Sequence, residues 1–392
     1  MNSSSTDMSK LPLAVQKLLE IPLDQLLEFA MTRLARQGDL VANVFASVRG
    51  RLGDVLGATS ARRIYLVGCG DSYSAALAAR YAFEQLTGLP TMALDSMEFA
   101  RYTLLPPESL VILVSSTGEP AMTLEAGAVA RQAGVEVIGV TSAKEGRVAQ
   151  EFPNLFVDPG FSSAEHADYL ALIVSNFSFS LAALYMIAIY LGQSRGYLDD
   201  RAAGQVEKEL DRVPDAIERT ASWSAAVREY LEGVSSEADF YFLGAGPSFG
   251  VARFLQAKFF EQVQRSAYGV ELEEFSHEYW FTLRPGEDAQ VWFIIPAGPS
   301  QEWSLDMMAG CQEMGARAIA IAGPHGAQVR ERADLILPVD AVPEMFSPLV
   351  TVVPGELLAL HAVILWRRES FSVARRARQM AISKRLTRER TP

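Results

Sequence analysis

The chain is poor in the residues that build disulfides and metal centres. Its 392 residues include 2 cysteines, Cys69 and Cys311, and 4 histidines. Two isolated cysteines form neither a disulfide framework nor a zinc cluster, so we expect no metal and no cofactor. The first ten residues, MNSSSTDMSK, lack the apolar core of a signal peptide. These absences favour a cytoplasmic protein.

An excess of positive charge is also lacking. Lys and Arg number 35 against 47 Asp and Glu, which gives a net charge of −12. Nucleic-acid binding needs a basic surface, so we expect no nucleic-acid partner. The same negative field would repel an anionic substrate. Local hydrogen-bond donors would have to overcome that repulsion.

One long uncharged run needs a decision between a membrane span and a core helix. Residues 169–192 read YLALIVSNFSFSLAALYMIAIYLG, which is long enough to cross a bilayer. No basic residues flank its N-terminal side, polar residues interrupt it, and no second run of this kind is evident. We favour a helix buried between two domains and expect no membrane contact.

The order of apolar segments predicts an α/β protein with two domains. Short apolar runs such as RIYLVG, LVILV and VEVIGV alternate with helical patterns, and the alternation restarts after residue 232. Such alternation is typical of parallel sheets covered by helices on both faces. We therefore predict two tandem αβα sandwich domains, flavodoxin-like, with N-terminal helices. The expected boundaries are a helical segment at 1–55, domains at 56–200 and 233–374, a helical linker at 201–232, and a basic tail at 375–392.

The two halves also share residues at matching positions. An offset of 176 carries Gly68, Gly70 and Ser72 onto Gly244, Gly246 and Ser248, and an offset of 180 carries Gly118 onto Gly298. We interpret this as an internal duplication. The halves differ in one respect, because SSTGE follows a strand in the first half and PAGPS follows the matching strand in the second.

Two hydroxyl-rich loops in the first half predict an anion site. GCGDSYS and SSTGE each follow a predicted strand, and a helix N-terminus behind such a loop presents free N–H groups. Both loops are expected at the carboxyl edge of the sheet, where α/β proteins bind ligands. The plainer alternative is a tight turn with a helix cap. A dinucleotide loop is less favoured, since Tyr73 replaces the third glycine of that motif. The candidate phosphate-binding residues are Gly70, Ser72, Ser115, Ser116, Thr117 and Gly118.

The second half offers candidate acid–base groups. Lys258 and Glu261 are three residues apart and share a helix face, and His277 follows. Glu261 lies roughly 20 Å from the start of its helix, so it would serve the other domain's pocket or another subunit's. A carboxylate beside a phosphosugar suits proton transfer between C1 and C2. The alternatives are a surface ion pair and an exposed histidine.

The motifs GCGDSYSAA, SSTGE, KFFE and EEFSH resemble the sugar-isomerase (SIS) domain family over roughly residues 60–365. Within this family, the motifs are similar to those of the isomerase half of glucosamine-6-phosphate synthase and of the fructosamine-6-phosphate deglycases. The resemblance implies that Ser72, Ser115, Ser116 and Thr117 contact the phosphate. Independently of the resemblance, Glu98 in the SMEF turn is interpreted as a pocket-rim or structural carboxylate. The resemblance makes Glu261 the base and Lys258 its assistant. It also implies that His277 opens the ring from a neighbouring subunit, in a homodimer with shared sites.

Several positions depart from that family pattern. Pro120 stands where a threonine is usual, and His277-Glu278-Tyr279 replaces His-Gly-Pro. Residues 165–170, which include His166, and Arg378 also differ from the expected residues. The favoured function is a metal-independent isomerase or deglycase acting on an amino-sugar or fructosamine 6-phosphate. An aldosamine-6-phosphate deaminase and a non-catalytic phosphosugar sensor remain as alternatives.

Overall fold

The computed structural model describes residues 22–57, 59–160, 175–324 and 327–366. It begins with three helices, α1 (Leu23–Ala35), α2 (Gln37–Arg49) and α3 (Leu52–Val55). They supply apolar side chains to the main core. The predictions for residues 165–170, for Arg378 and for the basic tail lie outside the described residues.

The first half folds around a five-stranded parallel sheet. Its strands are β1 (Arg63–Gly68), β2 (Thr91–Asp95), β3 (Ser109–Val114), β4 (Glu136–Thr141) and β5 (Asn154–Phe156), and their order is β2-β1-β3-β4-β5. The connecting helices are α4 (Asp71–Thr87), α5 (Ser96–Tyr102), α6 (Ala121–Gln132) and α7 (Arg147–Glu151). Every residue of β3 is buried, because helices cover both faces of the sheet.

Four helices lead from the first sheet to the second: α8 (Asn176–Ser194), α9 (Asp200–Leu210), α10 (Val213–Ala221) and α11 (Ser224–Glu232). Within the described residues, the uncharged run forms α8 from Asn176 onward, and α8 packs against α4 and α2. Its Phe177 ring lies 4.8 Å from that of Phe254 in the second half. This part of the run is therefore a helix packed between the two halves, as expected.

The second half repeats the same sheet topology. Its strands are β6 (Asp239–Gly244), β7 (Tyr268–Glu271), β8 (Ala289–Ile295), β9 (Arg317–Ala322) and β10 (Leu335–Pro338), in the order β7-β6-β8-β9-β10. The helices are α12 (Pro247–Lys258), α13 (Leu272–His277), α14 (Gln301–Glu313), α15 (Ala327–Arg332), α16 (Pro348–Thr351) and α17 (Val353–Trp366). Two parallel α/β sheets with N-terminal helices confirm the predicted fold class.

Two stretches are long and apolar enough to cross a membrane by composition alone. They are Asn176–Ser194 and Pro348–Trp366, and 83% of the apolar window of each is buried inside the protein. The expectation that no second such run exists was wrong. The carboxylate of Glu356 and the imidazole of His361 interrupt the second stretch, but both are buried there.

The strand–helix turns of the two halves have the same backbone geometry. Gly70 has a φ of 56° and Gly246 a φ of 55°, a region that side chains disfavour. In both turns the first glycine lies against the serine four residues further on: a Cβ at Gly68 or Gly244 would come within 2.9 Å of the Cβ of Ser72 or Ser248. The residues matched by the offset of 176 thus have equivalent positions.

The two halves meet where α4 and α12 cross. A Cβ at Gly250 would lie 2.6 Å from the backbone oxygen of Ser74 and 2.6 Å from the backbone nitrogen of Ala78. Only a glycine allows this approach. The crossing brings the end of α12, with Lys258, towards the beginning of α4, with Asp71.

Replacing Gly250 tests this crossing. Gly250→Ala places a methyl group against backbone that cannot move aside, so we expect a loss of about 1–3 kcal/mol of unfolding free energy. The matched control is Gly204→Ala in α9, where a Cβ has nothing within 4 Å. There the gain in helix propensity should stabilise the protein by about 0.5–1 kcal/mol. Urea unfolding measures both, and equal effects at the two sites would contradict the close crossing.

Candidate functional site

The two candidate phosphate loops lie side by side. Gly68 at the end of β1 is in register with Val114 at the end of β3. Neighbouring strands are about 4.8 Å apart, so the loops that contain Gly70 and Ser115 leave the same edge of the sheet together. This is the edge at which open α/β sheets bind ligands.

The hydroxyl groups of these loops differ in exposure. Ser72 and Ser115 are buried, Ser116 is half-buried and Thr117 is exposed. The Oγ of Ser115 accepts a hydrogen bond of 3.0 Å from the backbone N–H of Gly118, which has a φ of 67°. Ser115 therefore holds the loop in its turn, and its own O–H remains a donor. The loops can present backbone N–H groups and hydroxyls to an anion.

A lysine joins the second half to the first loop. The Nζ of Lys258 lies 2.8 Å from Oδ2 of Asp71 and 2.6 Å from Oε2 of Glu261. The Lys258 side chain is only 1% exposed, whereas Glu261 is 44% exposed. Glu261 lies in a π-helical turn, Phe259–Val263, that follows α12. The ion pair is not a surface pair, and it places Glu261 close to the Gly70 loop of the same chain.

Burial and neighbouring opposite charges shift the pKa values of Lys258 and Asp71 in opposite directions. Burial alone would lower the pKa of Lys258, but Asp71 and Glu261 outweigh it and the pKa is raised. The ammonium therefore stays charged. Burial raises the pKa of the Asp71 carboxyl to about 6, although Lys258 pulls it down. Asp71 was not among the predicted site residues. The signal for it was present, because a carboxylate directly after GCG is unexpected in an anion-binding loop.

A second buried carboxylate lies behind the site. Oε2 of Glu356 accepts a hydrogen bond of 3.0 Å from Gln37, and Oε1 accepts one of 3.2 Å from the backbone N–H of Ser175. Burial raises the pKa of Glu356 to about 7, and Lys258 and Asp71 are near enough to contribute to it. This cluster joins α2, α8 and α17 beneath the ion trio. It was not predicted from the sequence.

His277 lies away from this arrangement. It ends α13, its side chain is 64% exposed, and its Nε2 lies 3.0 Å from Oε1 of Glu273 in the same helix. Within the described residues its contacts do not include the phosphate loops or Glu261. The structure thus brings Lys258 and Glu261 to the first loop and leaves His277 on the surface.

The remaining candidate is Glu98, in the first turn of α5, where its side chain is exposed. It is near enough to Tyr73, the residue after Ser72, to influence the pKa of that phenol. Glu98 therefore lies at the periphery of the first loop. Among the described residues, no group of three or more His, Cys, Asp or Glu side chains could hold a metal ion.

In the second half, the loop that corresponds to SSTGE is in contact with a side chain from another segment of the same chain. The carboxylate of Glu344 packs against the Cα of Gly298, in the loop that follows β8. Burial raises the pKa of the Glu344 carboxyl. An acidic side chain thus lies against the glycine that matches Gly118 of the first half. This loop has Pro296 and Ala297 where the first half has Ser116 and Thr117, and it lies next to an acid, so it is unsuited to an anion.

Comparison with known proteins supports the resemblance drawn from the motifs. Residues 59–190 match the model of the SIS domain. Over 305 residues the chain is 29% identical to the glutamine–fructose-6-phosphate aminotransferase [isomerizing] of Tropheryma whipplei, which covers 76% of this chain and 48% of that protein. The chain therefore spans about half the length of the curated relatives it matches, and it is homologous to their SIS-containing part.

Two solved structures show the same fold. The C-terminal domain of glucosamine-fructose-6-phosphate aminotransferase from Francisella tularensis superposes with a TM-score of 0.69 at 18% identity, over 83% of this chain and 94% of that one. Glucosamine-6-phosphate deaminase from Thermotoga maritima superposes with a TM-score of 0.64 at 21% identity, over 86% of this chain and 94% of that one. At these identities the likeness concerns the fold.

The buried Glu356 predicts a specific pH dependence of stability. Its pKa rises from 4.5 to about 7 on folding, so its contribution to stability is present below about pH 4.5 and is lost as the pH rises through 7. The variant Glu356→Gln has no such titration. From pH 5 to pH 8 we expect wild type to lose about 3 kcal/mol relative to this variant.

Urea unfolding at several pH values measures this difference. The exposed Glu313→Gln in α14 is the control, and its stability should run parallel to that of wild type. If the free energy of unfolding of Glu356→Gln also ran parallel to that of wild type over this pH range, Glu356 would not be a desolvated acid.

Proposed function

We propose that this chain, a member of the SIS domain family, is a metal-independent isomerase or deglycase acting on an amino-sugar or fructosamine 6-phosphate. The observation that supports this most is the Asp71–Lys258–Glu261 trio. It combines a half-exposed carboxylate from one domain with a loop from the other that is suited to an anion. The match of residues 59–190 to the SIS domain model and the word "isomerizing" in the name of the curated relative support the reaction class.

The proposed mechanism assigns separate tasks to the two halves. Ser72, Ser116 and Thr117, with backbone N–H groups behind Gly70, hold the phosphate. Glu261 transfers a proton between C1 and C2 of the open-chain sugar: it removes the proton from the carbon next to the carbonyl or imine and returns it to the former carbonyl or imine carbon. A positioned base of this kind contributes roughly 10²–10⁴-fold. The Lys258 ammonium balances the negative charge that develops on the substrate oxygen or nitrogen. This path needs no metal.

The exposed His277 fits a role in a neighbouring subunit. Large apolar side chains lie exposed around it, with Phe281 exposed by 78% and Tyr268 by 38%. In the first half, α5 and the residues after it correspond to α13, and they expose Met97, Tyr102 and Leu104. Exposed apolar patches of this kind mark protein interfaces. In the proposed homodimer they are covered, and His277 enters the partner's pocket to open the sugar ring.

Replacing the base tests the reaction. Glu261→Gln keeps the size and polarity of the side chain but cannot accept the proton, so turnover and solvent-deuterium incorporation at C1 and C2 should fall at least about 100-fold. Phosphosugar binding, measured by calorimetry, should change little. The control is Glu302→Gln at the exposed start of α14. Unchanged exchange in Glu261→Gln would show that another group is the base.

Mixing two inactive variants tests the shared site. Glu261→Gln and His277→Ala should each be inactive as homodimers, because each lacks one group in both pockets. In mixed dimers one pocket regains both groups, so random pairing should restore about a quarter of the wild-type activity. Refolded or co-expressed mixtures measure this. No recovery, with mixed dimers demonstrated, would place His277 in the pocket of its own chain or outside catalysis.

An aldosamine-6-phosphate deaminase is the second candidate, favoured by the similarity to the Thermotoga maritima deaminase. The same proton transfer would there precede loss of the amine from C2. Ammonia release from glucosamine 6-phosphate identifies this reaction. Release of an amino acid from a fructosamine 6-phosphate identifies the deglycase.

A further inference from the structure

The ion trio has an excess of negative charge. Asp71 and Glu261 are two carboxylates, and they share one ammonium, that of Lys258. Lys258 and Glu261 alone would be a neutral pair. Asp71 therefore leaves one net negative charge, directly behind a loop that otherwise favours an anion.

Asp71 is also poorly satisfied where it lies. Its Oδ2 accepts from Lys258, but Oδ1 is buried and has no hydrogen-bond partner among the described residues. A buried charged oxygen without a partner is unfavourable by more than an average hydrogen bond gains. An asparagine could accept from Lys258 equally well without this excess charge. The cross-domain contact alone therefore does not account for an aspartate at this position.

The excess negative charge of the trio has a function if the ligand carries a compensating positive charge. A phosphosugar with an ammonium group at C1 or C2 is an anion at one end and a cation at the other. The hydroxyl loops complement the first end. The trio, reached through the 44% exposed Glu261, complements the second. A neutral hydroxyl at the same carbon would leave the negative charge uncompensated.

We propose that Asp71 is a specificity-determining residue whose charge selects amine-bearing phosphosugars over phosphosugars with a hydroxyl at the same carbon. This inference rests on the proposed function and names the residue that sets its substrate class. Asp71 acts through the trio and does not itself exchange a proton with the substrate.

Two non-reactive ligands isolate the effect. Glucitol 6-phosphate and 2-amino-2-deoxyglucitol 6-phosphate are open-chain, lack the carbonyl that isomerisation needs, and differ only in the hydroxyl or ammonium at C2. Calorimetry at pH 8 on the intact protein gives both dissociation constants. We expect wild type to prefer the amine by about tenfold, which corresponds to about 1.4 kcal/mol.

Two variants separate charge from structure. Asp71→Asn should reduce the preference to within about twofold and leave glucitol 6-phosphate binding equal or tighter. Ser116→Ala, in the hydroxyl loop, should weaken both ligands alike and keep their ratio. The inference is overturned, while the proposed function stands, if Asp71→Asn leaves the ratio of the two dissociation constants unchanged. It is also overturned if wild type shows no preference for the amine ligand. Failure of both ligands to bind wild type overturns the proposed function, and the inference with it.

The wild-type protein alone gives a second test, in case Asp71→Asn does not fold. The charged groups near Asp71 are Lys258 at the end of α12, Glu261 in the turn after it, and Glu356 in α17. Because the pKa of Asp71 is raised to about 6, its charge is lost between pH 8 and pH 5. The amine preference should decline over this range, while phosphate titration affects both ligands alike. If the ratio of the two dissociation constants stays constant from pH 8 to pH 5, the inference is overturned.

Discussion

The buried ammonium of Lys258 is the interaction on which the candidate site depends. A charge with 1% exposure is tolerated only when it is paired and hydrogen-bonded, and its two partners come from different parts of the chain. Asp71 belongs to the first domain, and Glu261 follows α12 of the second. Removing both partners would leave the buried ammonium without a compensating charge. The site and the contact between the domains are therefore one structure, and a change in one should disturb the other.

The two halves have the same topology but different surfaces at equivalent positions. The first keeps Ser115, Ser116 and Thr117 at the end of β3, whereas the second has an apolar loop packed against the carboxylate of Glu344. The crossing at Gly250 then delivers the end of α12 to the intact loop. In the proposed function, this arrangement gives one anion site with acid–base groups from the other half. A duplication followed by loss of one site explains this arrangement, and it remains a prediction.

Local patterns in the sequence were sufficient for the fold class and for part of the site. The alternation of apolar runs and helices predicted both sheets, and the spacing of Lys258 and Glu261 predicted their shared face. The short edge strands β2, β5 and β7 were missed, because three to five residues carry little periodicity. The Lys258–Asp71 contact joins residues 187 apart, and the Gln37–Glu356 contact joins residues 319 apart. No local pattern encodes such pairs. The crossing of α4 and α12 creates the first, and the packing of α17 against α1, which ends shortly before Gln37, creates the second.

The central claim is that one pocket is completed by groups from both halves. A crystal structure with glucitol 6-phosphate tests it most directly. The account predicts the phosphate at the loops of Gly70 and Ser116, with C1 and C2 at about 3–4 Å from the carboxylate of Glu261, a distance suited to proton transfer. A phosphate bound elsewhere, or a sugar chain directed away from Glu261, would contradict it.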